Sequence, residues 1–358
     1  MKKTGKIKIL RRVMSAMICL LMVICTAQLT GCDNNAVAEA PEMKPGYYHA
    51  RYERMADKGA AFLVCGTGGR LDRIFEDGTL ENIALPVGDK DLTAVLVGEE
   101  ITLVGGTDGA LAYSRDGMEF ELSTGAENEH ILGLAQFNGK YFACTFSGKI
   151  LSSGDGVSWE AGSPMTDKPI IAIAAAGSCI MAITEDTNIF KSEDGVNWDA
   201  QNYNEVYDGL AEKQSFLNMI NLNQRVFIFG HPDDNREAPF VMNSDDGGEI
   251  WQYVRSTKLN DRTPEEFYPL TTYSAAYFGS VMLAACDRGR ILIYTDCPSC
   301  NEVMETKNAD LRCIAVSEKS VLVAGDNFEF TILTEEDFQE FSSFTGDALE
   351  EFQNMIRQ

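Results

Sequence analysis

The sequence predicts an all-β chain, a β-propeller of four-stranded blades, and three observations carry that prediction. Asp-Gly turns recur without a gap at Phe75-Glu-Asp77-Gly78, Ser114-Arg-Asp116-Gly117, Ser153-Gly-Asp155-Gly156 and Ser192-Glu-Asp194-Gly195, their aspartates in three successive steps of 39. Around the turns lie short apolar or alternating runs, the pattern of strands. No long helical stripe separates the runs, which argues against strand–helix–strand units.

The elements follow in order. Leu92–Val97, Ile101–Val104, Ala110–Tyr113, the turn, and Glu119–Leu122 make one unit. The next repeats it with Ile131–Phe137, Tyr141–Thr145, Lys149–Leu151 and Ser158–Glu160, and a third with Ile170–Ala175, Cys179–Thr184, Asn188–Lys191 and Asn197–Asp199. A fifth turn, Ser244-Asp-Asp246-Gly247, follows after a longer gap and leads to Trp251. Four-stranded units of about 40 residues are the modules of propellers, whose radial packing leaves only short, protected edges. Landmarks place blades at 48–85, 91–122, 130–161, 169–200, 215–255, 270–305 and 310–345. That makes seven; six is the alternative if the first and last segments are halves of one closing blade.

The turns resemble the Asp-box, or BNR repeat, S-x-D-x-G-x-x-W, of sialidases, sortilin-like receptors and photosystem II stability-factor-like propellers. The matching residues are Ser114, Asp116 and Gly117; Ser153, Asp155, Gly156 and Trp159; Ser192, Asp194, Gly195 and Trp198; and Ser244, Asp246, Gly247 and Trp251. The resemblance implies a hairpin between a blade's third and fourth strands, on the face away from ligand. Local chemistry agrees with a structural role. A short carboxylate accepts N–H bonds within its own turn, glycine takes the positive φ, and the aromatic packs between sheets.

The ends of the chain read differently from the body. Residues 1–12 are basic, Val13–Ala27 are almost wholly apolar, and Leu29-Thr30-Gly31-Cys32 follows. This is the layout of a secretory signal, and its end resembles the lipobox of bacterial lipoproteins. That resemblance implies a leader of residues 1–31, lipidation of Cys32 and a tether over 32–47, with the protein on the extracytoplasmic face of the bacterial cytoplasmic membrane. Membrane contact is then expected through that lipid alone. At the other end, Leu349, Phe352, Met355 and Ile356 predict a short amphipathic C-terminal helix over 346–358.

Charge and motifs narrow the function. The chain carries 54 acids and 30 bases, and six of the bases lie in the leader, so the body is strongly acidic and lacks the positive field that binds nucleic acid. No G-x-S-x-G, H-E-x-x-H or phosphate-loop pattern occurs, and no cofactor or metal is expected. The arginine contexts of a sialidase are missing: Arg70 and Arg73 lack the proline of an R-I-P motif. His49, His130 and His231 fall in separate units and read as surface residues. Cys65, Cys144, Cys179 and Cys313 read as buried thiols. Cys297-Pro-Ser-Cys300 has dithiol spacing, open to free thiols, a disulfide, or a four-sulfur metal site with Cys286 and Cys313.

Binding is therefore favoured over catalysis. Three long segments, Gln201–Ser215, His231–Pro239 and Arg255–Leu270, flank the fifth blade and map to the face opposite the Asp-Gly turns. They carry Tyr203, Tyr207, Lys213, Arg236, Arg255, Arg262 and Tyr268, residue types that dominate interface hot spots. A protein partner, or support of a surface complex, is the expected role; a glycan-binding or glycoside-hydrolysing surface protein is the alternative.

Overall fold

Val, Ile, Leu and Ala in alternation, punctuated by Gly and Asp, leave each segment one choice: a short strand that must bury both faces. In the computed structural model, which describes residues 42–55, 59–206, 214–232, 240–255, 271–279, 281–296 and 299–339, that is what they form. Blade 1 consists of β1 (Tyr47–Met55), β2 (Gly59–Gly66), β3 (Leu71–Phe75) and β4 (Leu80–Ile83). Blade 2 has β5 (Leu92–Val97), β6 (Thr102–Gly106), β7 (Leu111–Ser114) and β8 (Glu121–Leu122). Blade 3 has β9 (Ile131–Phe137), β10 (Lys140–Thr145), β11 (Ile150–Ser153) and β12 (Glu160–Ala161). Blade 4 has β13 (Ile170–Ala176), β14 (Cys179–Thr184), β15 (Asn188–Ser192) and β16 (Asp199–Asn202), followed by the single-turn helix α1 (Tyr203–Val206). Blade 5 has β17 (Gln214–Leu222), β18 (Arg225–Pro232), β19 (Phe240–Ser244) and β20 (Gln252–Arg255). Blade 6 has β21 (Thr272–Phe278), β22 (Val281–Cys286), β23 (Arg290–Asp296) and β24 (Ser299–Glu305). Blade 7 shows β25 (Leu311–Val316), β26 (Ser320–Gly325) and β27 (Phe330–Thr334), then the short helix α2 (Glu335–Phe338).

Each sheet pairs its strands in chain order, all antiparallel. The fold is a seven-bladed propeller, so the six-bladed alternative falls. Residues 346–358, expected to be helical, lie outside the described residues, as do the leader and Cys32. Among the described residues no helix is long and apolar enough to cross a membrane.

Seven apolar clusters fill the seven interfaces between blades. Leu63, Leu71, Val95 and Val104 sit between blades 1 and 2; Phe278, Leu283, Ile314 and Val323 between blades 6 and 7; Tyr47, Phe62, Cys313 and Leu322 close the ring between 7 and 1. The buried cysteines are distributed among these cores. Cys286 lies between blades 5 and 6 and Cys313 between 7 and 1, both as free thiols. That separation removes the four-sulfur site. Cys300 pairs opposite Tyr294 in the blade 6 hairpin, while Cys297 lies outside the described residues.

The Ser-x-Asp-Gly turns join third to fourth strands. In blade 4, Asp194 Oδ1 accepts the Val196 and Asn197 N–H groups at 2.8 Å each and the Ser192 hydroxyl at 3.0 Å. Asp116 and Asp155 repeat this pattern. The fifth turn has an extra glycine, so Asp246 bonds one residue further on, to Glu249 and Ile250. These donors hold all four carboxyls below the usual carboxylate range. Each turn also leans on the preceding blade. Gly156 (φ 74°) would bring a Cβ within 2.8 Å of Ile101 Cδ1, so glycine is required both for conformation and for approach. Trp159, 5% exposed, packs into the core between blades 2 and 3 and donates its indole N–H to Gly156 O. Phe120, Trp198 and Trp251 take the same position at half-buried sites in their own interfaces.

Candidate functional site

The first strand of every blade lines the ring axis, and all seven carry a β-bulge near their start. The register skips between Tyr47 and His49, Leu92 and Ala94, Ile131 and Gly133, Ile170 and Ala172, Phe216 and Asn218, Thr272 and Ser274, and Leu311 and Cys313. A bulge re-aims the extra side chain. Here the extra residues are Tyr48, Thr93, Leu132, Ile171, Leu217, Tyr273 and Arg312, and every one lines a central cavity of about 540 Å³. Its far end is walled by Asn223 and Gln224, its near end by Glu42, Met43 and Glu185. That volume lies in the range of small-ligand pockets.

Topology orients the cavity. Consecutive antiparallel strands put the Ser-x-Asp-Gly turns on one face and the bulge ring near the other. On that second face, the turns between second and third strands repeat a backbone tie to the entry of their own blade: Thr67 N–H to Gly46 O, Thr107 to Asp91, Phe146 to His130, Asp287 to Thr271 and Asp326 to Asp310. Side chains knit neighbouring first strands together. Thr93 donates to Ile131 O, Asn218 to Tyr273 O, Asn221 to Ala175 O, and His49 Nδ1 accepts the Val95 N–H.

The charges near the ring differ in how they are matched. Arg312, 3% exposed, grips both oxygens of Asp326 (2.8 and 3.1 Å), reaches Asp310 at 3.2 Å and stacks over the Tyr273 ring at 4.3 Å. It is a neutralised structural cation. Arg70 is likewise held by Asp72 and lies over the rings of Tyr47 and Phe328. Fully buried Arg73 pairs with Glu53 at 2.9 Å and donates to Gly117 O of the blade 2 turn. None of these is the open carboxylate clamp of a sialidase. On β1, His49 and Arg51 follow each other along the blade 2 side and line the cavity. Burial and the Arg51 charge push the His49 imidazole well below its usual value, and burial lowers the Arg51 guanidinium from its own.

The sequence-predicted binding residues fare unevenly. Tyr203 is not an interface residue: it is 4% exposed in the core between blades 4 and 5, with its ring 5.8 Å from Phe216. The reason is local, because α1 begins at Tyr203 and its N–H bonds to Thr187 O, turning the side chain inward. Arg255 pairs with Phe240 through the backbone of β20. Tyr207, Lys213, Arg236, Arg262 and Tyr268 lie outside the described residues. The strand ends that anchor their segments do share one end of blade 5, where Gln214 pairs with Pro232 and Phe240 with Arg255. That end faces away from the Ser-x-Asp-Gly turn.

Two histidines are corrected as well. His130 is 3% exposed and accepts the Asp108 N–H at 3.0 Å, and His49 faces the cavity rather than bulk solvent. The bulge ring and the His49–Arg51 pair escaped the sequence reading. A signal existed for both: Thr93, Leu132 and Ile171 keep the 39-residue register, and polar alternation in Tyr48-His-Ala-Arg-Tyr-Glu53 contrasts with the apolar first strands of blades 2 to 4.

Comparisons with known proteins agree on the architecture. Among curated proteins none matches this chain. Of solved structures, a complex described as YCF48 bound to D1 peptide is 14% identical, with a TM-score of 0.58 over 81% of this chain and 94% of that one. The WD40 β-propeller domain of Doa1 is 10% identical, with a TM-score of 0.59 over 85% and 97%. A computationally designed protein, Ika8, reaches 0.51 at 10% identity over 82% and 97%. At such identities the likeness is one of fold. The DUF6242 β-propeller domain matches residues 78–285, from the turn before β4 to the end of β22, and the ring extends beyond the match on both sides. With more than half of its length so matched, the chain belongs to the DUF6242 β-propeller family.

Proposed function

We propose that this propeller is a binding module for a polypeptide partner, held by a lipid on Cys32 at the outer face of a bacterial cytoplasmic membrane. The observation that carries the reading is the common departure of three long segments from one end of blade 5, on the face where the bulge ring lies. Loops gathered at one end of a rigid scaffold are where binding residues concentrate. The YCF48 structure, described as bound to D1 peptide, supports the capacity of this fold to hold a peptide. The Ser-x-Asp-Gly turns, read as Asp-boxes, serve as fasteners on the opposite face. Leu29-Thr30-Gly31-Cys32 and the short run to Glu42 support the anchor, and the extracytoplasmic placement follows from it.

The test has two arms. Cys32→Ala should abolish fatty-acid labelling while leaving the melting temperature unchanged; undiminished labelling removes the anchor. Crosslinking in intact cells identifies the bound polypeptide, and Arg262→Ala with Tyr268→Ala should weaken its binding by about 2 kcal/mol or more for each hot spot. Recovery of the same partner at the same yield from the double variant refutes the loop surface.

A further inference from the structure

Arg51 is an anomaly of charge. In a body dominated by acids, it lines the central cavity with no hydrogen bond or ion pair among the described residues. The titratable groups that act on it are the thiols of Cys65 and Cys313, which burial keeps protonated, and neither is a carboxylate. By contrast, Arg70, Arg73 and Arg312 each have a carboxylate within contact distance. Arg51 is half-buried, and a guanidinium partly withdrawn from water without a counter-charge costs folding free energy; local violations of this kind belong to functional sites.

Its neighbour completes the arrangement. His49 stands two residues away on the same side of β1, and its Nδ1 is occupied as the acceptor for Val95 N–H. The neutral imidazole therefore carries its proton on Nε2, as a donor. Across the cavity the walls are apolar: Leu132 and Ile171 from the bulge ring, with Leu134, Ile173 and Met219. One side of the cavity thus offers a cation and a donor and the facing arc is apolar, while the carboxylates of Glu42 and Glu185 lie at its near end.

We propose that the central cavity is a receptor for a carboxylate carried on an apolar body, its oxygens taken by the Arg51 guanidinium and the His49 Nε2–H and its body by the Leu132–Ile171 arc. A planar carboxylate matches the guanidinium fork, and a single uncompensated cation matches a single negative charge. Such a carboxylate has two sources, a free organic acid or the C-terminus of a polypeptide. The site stands independently of the loop surface around blade 5.

Calorimetric titration of the full chain decides the matter. The probes are hexanoate, hexanamide, inorganic phosphate, and the tripeptide Ala-Leu-Leu with its terminus free or amidated. The proposal expects hexanoate or the free-acid tripeptide to bind, with the matching amide and phosphate roughly tenfold weaker or worse. Which acid binds identifies the source. Arg51→Gln should lose about tenfold or more of that affinity and melt no lower than the unaltered chain, since it removes an uncompensated charge. Equal binding of acid and amide, a preference for phosphate, undiminished binding by Arg51→Gln, or no binding of either acid overturns the proposal. So does a lowered melting temperature of Arg51→Gln, which would make Arg51 a structural residue.

Discussion

A carboxylate such as Asp194 does its work by being ionised, because only the anion accepts from three donors at one oxygen. Its pKa in the folded chain lies below the ordinary value of 3.8, as do those of Asp116, Asp155 and Asp246. The unfolded chain then binds protons more readily in acid, so this stability is present above about pH 4 and is lost as pH falls further. Asp287 has the opposite sign. Burial first, then the neighbouring Asp310, raises it to about 6, and its Oδ1 lacks a hydrogen-bond partner among the described residues. Its preference for the protonated form means that stability declines as pH rises from about 4 to about 6. Melting temperature measured from pH 2 to 7 should therefore rise steeply out of acid and then sag toward pH 6. Asp194→Ala should flatten the acid limb, and Asp287→Asn should remove the sag. An unaltered profile in either variant ends that assignment.

At the level of the strand and turn, blades 2 to 5 are each fastened to the preceding blade by an aromatic after the turn. Trp159 is the most buried of the set, so Trp159→Ala should cost about 3–5 kcal/mol as a large-to-small core change, and the half-buried Trp198 less. Urea unfolding midpoints of the two variants check the ranking; equal or negligible shifts would show that the rings are not structural. These fasteners were readable in sequence because the Asp and Gly of a tight turn have few substitutes. Blades 6 and 7 lack the turn, yet their paired apolar runs still placed them, since a strand buried on both faces must be apolar. Tyr203 was misjudged because a loop aromatic and the first residue of an inward-turning helix look alike without tertiary contacts. The bulge ring was harder still. A bulge is one extra residue in a paired strand, and it becomes visible only once the partner strand's register is known. Arg51 shows the same limit, since its lack of a counter-charge depends on neighbours from Cys65 to Cys313.

Over the whole ring, closure is the distinctive event. Among the described residues, blade 1 is built wholly from 47–83 and blade 7 from 311–334, with no strand exchanged between the chain's ends. What closes the seam besides its core is a set of small ties. Gly46 bridges to Asp326, Asn327 N–H bonds to Pro45 O at 2.7 Å, and Lys44 pairs with Asp326 at 3.6 Å. On the other face Ser317 and Ser320 donate to Glu76, and Arg54 meets Glu318 at 3.6 Å. A chain beginning at Tyr47 should accordingly melt lower and exchange amide hydrogens faster in β1 and β25, with β9 to β16 unchanged. Uniform exchange around the ring would refute a distinct seam. The six other interfaces are crossed by the backbone that leads from one blade to the next, whereas this one is not. Any tension applied to the chain ahead of Glu42 is delivered at Lys44, Pro45 and Gly46, directly onto the clasp. Under load the ring opens there first, as a bracelet does, parting Tyr47 from Phe328 while every blade keeps its strands.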